Sequence, residues 1–291
     1  MLDSLQSETT RSISIQAEGA TLRGRLFAPF GQPTAALVLN GATGVPHEFY
    51  AHFARWLATE RGIACLTFDY RDFGASRVGS LASSRTQMSD WALRDMPAAR
   101  ATMRRLYPDV PLWVLGHSLG GMLTPSQSGI EEIDRMICVC SGMVHHKDHP
   151  WPYQGLARLF WFVLGPLITR TTGYLAGRRA GFGADLPPEV FWQWRRWCTS
   201  PDFYLPDCGW DIPQPNWRRC GAPVQMFALS DDDLCPPICT EKLSTVYDGQ
   251  AVCTVLDPAK FGLGKVGHTG LFRRRNAMLW PAVIDDCVNP S

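Results

Sequence analysis

Six short apolar runs, separated by segments of helical spacing, constrain this chain more than any other feature. They are Ala35–Asn40, residues 63–69, residues 111–115, residues 135–141, residues 223–229 and Ala251–Leu256. A run with no polar alternation suits a strand buried on both faces of a sheet. Residues 46–61 lie between the first two runs and carry Phe49, Phe53, Trp56 and Leu57 at helical spacing. Residues 86–106 do the same with Met88, Trp91, Ala92, Met96, Ala99 and Met103. Pro97 should kink or divide that helix, because it lacks an N–H and crowds the preceding turn. Further helices are expected over 119–127, 237–247 and 271–287, and residues 12–16 and 20–27 read as an opening antiparallel pair. Strands alternating with helices predict an α/β fold, a mostly parallel, doubly wound sheet with helices on both faces.

The alternation stops between 142 and 219. That segment holds Trp151, Trp161, Trp192, Trp194, Trp197, Trp210 and Trp217, seven of the chain's 11 tryptophans. Helices are expected over 156–169 and Pro188–Cys198. The division that follows is a core of residues 1–141 and 220–291, with 142–219 inserted over one end as a helical cap. Most of its rings should pack it onto the core. Those facing a pocket would favour an apolar or aromatic acyl group, since small-molecule sites are lined mainly by such side chains.

With 28 basic and 27 acidic side chains the net charge is +1, so the whole-chain balance makes no electrostatic case for nucleic acid or an anionic membrane surface. The expected partner is a small-molecule substrate. The longest apolar stretch, around 159–168, is interrupted by Gly165 and Pro166 and falls short of the roughly 20 residues needed to span a bilayer. Residues 1–16 show neither a basic n-region nor an apolar h-region, so no signal peptide is expected. The ten cysteines are scattered, without a CxxC pair. Cys65, Cys138, Cys140 and Cys253 sit in apolar runs as small buried hydrophobes. Reduced thiols favour the cytoplasm.

Gly116-His117-Ser118-Leu119-Gly120 fits G-x-S-x-G, directly after one of the buried runs and before an expected helix. In that setting the serine occupies a strained turn at the carboxyl edge of the sheet. The flanking glycines are required because side chains there would meet neighbouring backbone. A serine hydroxyl needs a base. Of seven histidines, His268 is the one in a loop after the last strand, where the base belongs once an acid has preceded it. The acid should follow the run 223–229, where Asp231, Asp232 and Asp233 are all candidates. One oxyanion donor should be the N–H of Leu119. The other should come from Asn40-Gly41-Ala42-Thr43-Gly44, with Ala42 favoured and Thr43 next. His145, His146 and His149 invite a metal reading, but no HExxH glutamate or cysteine pair accompanies them, and a polar hinge of the cap is the simpler expectation.

Together these segments resemble the α/β-hydrolase superfamily. The elbow at 116–120, the turn at 40–44, the stretch Asp69-Tyr70-Arg71-Asp72-Phe73-Gly74, the acid turn and the His268 loop fall in its order. The ending Gly267-His268-Thr269-Gly270-Leu271-Phe272-Arg273 is similar to a branch of serine hydrolases distantly like the serine aminopeptidase and monoglyceride lipase group. The resemblance implies an Asp four residues before a Pro in the acid turn. Pro236 therefore selects Asp232. It also implies hydrolysis of an ester, or less readily an amide, through an acyl-enzyme and without a cofactor. Acyl transfer on the same residues and a non-catalytic binding protein of the same fold are the alternatives. Two departures bear on the pocket: Asp72 stands where this group usually has Gly, and Pro125 should kink or end the helix after the elbow.

Overall fold

The computed structural model describes residues 8–181 and 183–285. Eight strands form one sheet in the order β1-β2-β4-β3-β5-β6-β7-β8. They are β1 Glu8–Ala17, β2 Ala20–Pro29, β3 Ala35–Asn40, β4 Ile63–Phe68, β5 Leu112–His117, β6 Arg135–Val139, β7 Val224–Leu229 and β8 Ala251–Leu256. The β1–β2 and β2–β4 pairs are antiparallel and every other pair is parallel.

The apolar runs become strands because both faces are covered. Along β3, Ala36 and Val38 enter one buried cluster, while Leu37 and Leu39 enter the other. The first cluster holds Trp91, Met96 and Met103 of the helical stretch 88–106. The second holds Phe53 and Leu57 of the helix Ala51–Arg61, and Trp280 and Val283 near the chain's end. Helices thus lie on both faces, as a doubly wound sheet requires. The edge strand β8 is the exception. Its middle residues are exposed, so Cys253 faces outward rather than being buried as its apolar neighbours implied.

Two prolines are absorbed in the same way. A π turn at Trp91–Asp95 ends two residues before Pro97, and another at Phe160–Leu164 ends two residues before Pro166. Widening the turn moves carbonyls away from the ring that would clash with them.

Two expected helices differ. The segment after the elbow is not a helix over 119–127 but two 3-10 turns, Ser118–Gly121 and Thr124–Ser126. Gly120 and Gly121 are poor helix formers and Pro125 cannot donate. The freed carbonyls find other partners. Tyr247 donates to Gly121 O at 2.6 Å, Tyr204 to Met122 O at 2.9 Å, and the Asn216 N–H to Pro125 O at 2.9 Å. The expected helix 271–287 is a 3-10 stretch Arg274–Leu279 followed by a short helix Trp280–Ile284; its end beyond 285 lies outside the described residues.

Between β6 and β7 the described residues form helices Tyr153–Leu159, Gly165–Thr172, Gly177–Ala180 and Pro188–Cys198 and no strand. Phe160, Trp161, Phe191, Trp197 and Trp217 from this insertion join the same buried cluster as the β-sheet residues.

Candidate active site

From β3 the chain crosses to β4 on one side, then returns to lay β5 on the other. The carboxyl ends of β3 and β5 therefore flank the point where the winding reverses, the place where open α/β sheets bind ligands. Two segments meet there: the turn 40–44 after β3 and Ser118 after β5.

Ser118 has a φ of 54°, in the left-handed region that a serine rarely adopts. Close packing imposes it. A Cβ on Gly116 would lie 2.3 Å from the carbonyl of Gly120, and one on Gly120 would lie 2.1 Å from the oxygen of Asn40. The elbow is thus wedged against β3. As second residue of the 3-10 turn, Leu119 has an N–H with no acceptor inside the turn.

The three adjacent carboxylates all grip one loop, each differently. Asp231 accepts from the Val266 N–H at 2.6 Å and the Gly267 N–H at 3.1 Å. Asp232 Oδ2 accepts from His268 Nδ1 at 2.7 Å, and its Oδ1 accepts from the Leu234 and Cys235 N–H groups at 2.9 Å each. Asp233 pairs with Lys265 at the surface, at 2.5 Å. Burial opposes charge on Asp232. The neighbouring His268 and the two N–H donors outweigh it, and the carboxyl is held below its ordinary value. With the proton on Nδ1 for Asp232, His268 keeps its Nε2 lone pair.

Ala42 does not offer a free donor. Its N–H already donates to the hydroxyl of Tyr50 at 2.9 Å. Thr43, next along and half-buried, has an N–H without a protein acceptor among the described residues. The Tyr50 hydroxyl in turn donates to His117 Nδ1 at 2.8 Å, and His117 Nε2–H donates to the His268 carbonyl at 3.0 Å. A carbonyl only accepts, which fixes the His117 tautomer. Burial, helped by nearby His268, pushes the His117 imidazole down to about 3, so it is neutral. Tyr50 and His117 thus tie the turn 40–44, the elbow and the His268 loop together. Sequence reasoning flags neither: Tyr50 sits in an apolar helical stripe, and His117 precedes the serine.

Asp72 has a φ of 55°, which explains why glycine suits that position. The aspartate compensates by accepting from Ser84 at 2.6 Å and Thr86 at 2.7 Å.

Ser118 opens into a cavity of about 470 Å³. Most of its wall comes from the insertion, with Phe160, Trp161, Leu164, Trp194 and Phe203 among the lining residues, and its polar members are few: Ser118, His149 and Tyr153. His149 Nδ1–H donates to the Asp233 carbonyl at 3.0 Å. His145, His146 and His149 do not converge. Among the described residues, the three potential metal ligands that do are Cys140, Asp232 and His268. Burial drives the Cys140 thiol well above its ordinary value, so it stays protonated and makes a poor ligand.

Comparison with known proteins follows the fold. Mouse monoglyceride lipase is 30% identical over 112 residues, 38% of this chain and 35% of that enzyme. The human monoglyceride lipase is 30% identical over 111 residues, again 38% and 35%. The matched part is thus about a third of the length of these relatives. An esterase from Pyrococcus furiosus superimposes with a TM-score of 0.61 at 13% identity, over 98% of this chain and 94% of that one. Alpha/beta hydrolase domain-containing protein 10 from mouse does so with a TM-score of 0.54 at 17% identity, over 96% and 98%. These structural likenesses concern the fold. A model of the alpha/beta hydrolase family matches residues 36–275. That match takes in well over half of the chain, and the protein belongs to the alpha/beta hydrolase family.

Proposed function

We propose that this hydrolase is a serine hydrolase cleaving carboxylic esters through an acyl-enzyme, with Ser118 as nucleophile, His268 as base and Asp232 as the carboxylate that orients it. One observation carries the reading. The 2.7 Å bond from His268 Nδ1 to buried Asp232 leaves the basic lone pair on Nε2, while Ser118, in a strained left-handed turn, opens into an apolar cavity. Ser118 Oγ would attack the ester carbonyl as His268 takes its proton. The oxyanion would be held by the N–H of Leu119 and, with Ala42 engaged by Tyr50, that of Thr43. Collapse expels the alcohol, which leaves with the proton from His268, and water then attacks the acyl-enzyme by the same route.

In this reading residues 142–219 are the cap, and their rings favour an apolar or aromatic acyl group. Among the described residues no helix is long and apolar enough to cross a membrane. A cytoplasmic location is supported by the nine described cysteines, all free thiols.

The test is exposure to a fluorophosphonate probe with intact-mass readout, beside Ser118→Ala and His268→Ala. Stoichiometric labelling of the wild type, lost in both variants, is expected. A folded wild type that stays unlabelled would refute the reading and favour a binding protein of this fold.

A further inference from the structure

The helical stretch 153–172 is apolar on both its sides. Ala157, Phe160 and Trp161 are buried in the core. On the outside, Trp151, Leu156, Leu159, Phe162, Val163 and Leu167 are 46–78% exposed. A helix with one face in water normally carries polar residues there, and contiguous exposed apolar surface marks an interaction site.

The charge around this ridge is one-sided. Residues 149–184 contain Arg158, Arg170, Arg178 and Arg179 and no Asp or Glu; the carboxylates that bound the segment are engaged, Asp148 by Lys242 and Asp185 by the Arg178 N–H at 3.1 Å. All four arginines are exposed, and none is in an ion pair among the described residues. The whole-chain charge of +1 hides this local excess. The ridge is also continuous with the interior. Leu156 and Leu159 line the cavity that Ser118 opens into, as does Gly181, two residues beyond Arg179.

We propose that residues 151–179 form a docking surface for an anionic lipid bilayer. The apolar ridge enters the boundary between headgroups and acyl chains, and the arginines meet the phosphates. A second copy of this chain fits the same surface poorly. A twofold contact sets identical patches against each other, and with Asp148 held by Lys242 and Asp185 by the Arg178 N–H, the opposed arginines would find no free carboxylate in the segment. The docking stands whatever chemistry Ser118 performs. If the hydrolase reading also holds, an apolar path leads from the lipid layer to the nucleophile.

The experiment is co-sedimentation of the full chain with phosphatidylcholine vesicles, with and without phosphatidylserine. Binding is expected to the phosphatidylserine vesicles and to fall with salt. Each arginine is worth about fivefold, so Arg158→Gln with Arg170→Gln should weaken binding roughly 25-fold. Val163→Asp with Leu167→Asp should abolish it, with unchanged unfolding midpoint and unchanged fluorophosphonate labelling in solution, since neither residue lines the cavity. Three results would overturn the proposal: no preference for phosphatidylserine, full binding by the Val163→Asp/Leu167→Asp variant, or a solution dimer that this variant dissolves while no vesicle binds. Ser118→Ala should bind as wild type does. Vesicle binding without labelling would sink the hydrolase reading alone.

Discussion

His117 has no place for a second proton. Its Nε2–H is committed to the His268 carbonyl, and its Nδ1 accepts from Tyr50, whose oxygen already receives the Ala42 N–H. Protonating Nδ1 would strand the Tyr50 proton among buried groups. Burial, with His268 adding to it, takes this imidazole from an ordinary 6.5 to about 3. Between those values the unfolded chain binds a proton that the folded one refuses, so stability falls as pH drops through that window. At about 1.4 kcal/mol per pH unit, lowering the pH from 7 to 5 removes about 2 kcal/mol through this residue alone. The assay is urea unfolding at both pH values for the wild type and His117→Gln. Glutamine keeps a donor and an acceptor but does not titrate. Other groups titrate in both proteins and cancel, so wild type should lose about 2 kcal/mol more than the variant. Equal losses would show that the folded state accommodates the proton and that the Tyr50–His117 chain is not what holds the tautomer.

Three neighbouring carboxylates should respond unequally to the same change. Asp232→Asn turns the His268 tautomer and should slow fluorophosphonate labelling by about 10³–10⁴. Asp231→Asn weakens two backbone contacts, worth about 1–2 kcal/mol in urea unfolding, with labelling within tenfold of wild type. Asp233→Asn breaks an exposed pair and should shift stability by less than about 1 kcal/mol; equal effects in the three labelling rates would defeat the assignment. Because Asp232 is held below its ordinary value, the stability it adds should persist down to about pH 4 and vanish only as pH falls further. Gly120→Ala drives a Cβ against the Asn40 carbonyl and should destabilise by about 3 kcal/mol or more with labelling lost; a stable, labelled variant would mean the elbow is not wedged there. Phe203→Ala, at a buried cavity wall, should reduce stability by about 3–5 kcal/mol and shift ester preference toward longer acyl chains, read by hydrolysis of a chain-length series.

Much of the fold was legible because its signals are local. A strand buried on both faces needs an unbroken apolar run, and β3 and β8 begin and end where their runs do. The helix Pro188–Cys198 likewise follows its spacing. Local signals misled where a distant partner decided. A helix pattern after Ser118 gave way to 3-10 turns because Tyr204, Asn216 and Tyr247 supply the bonds a helix would have made. Cys253 lies in an apolar run but on an edge strand with nothing laid over it.

Periodicity, the order of the segments and the glycines around Ser118 are properties of the sequence by itself, because each concerns atoms only a few residues apart. They determined an α/β sheet with a serine at its carboxyl edge. The resemblance singled out Asp232 by Pro236, but the contact itself, Asp232 against His268 36 residues away while Asp231 and Asp233 grip other parts of the loop, depended on how two loops approach each other. That Ala42 gives its N–H to Tyr50, and that an apolar helix keeps one bare side beside four exposed arginines outside any ion pair among the described residues, were likewise decided only by tertiary structure. Hydrogen bonds and exposure depend on what comes within a few ångströms in space, and along the chain those partners lie dozens of residues away.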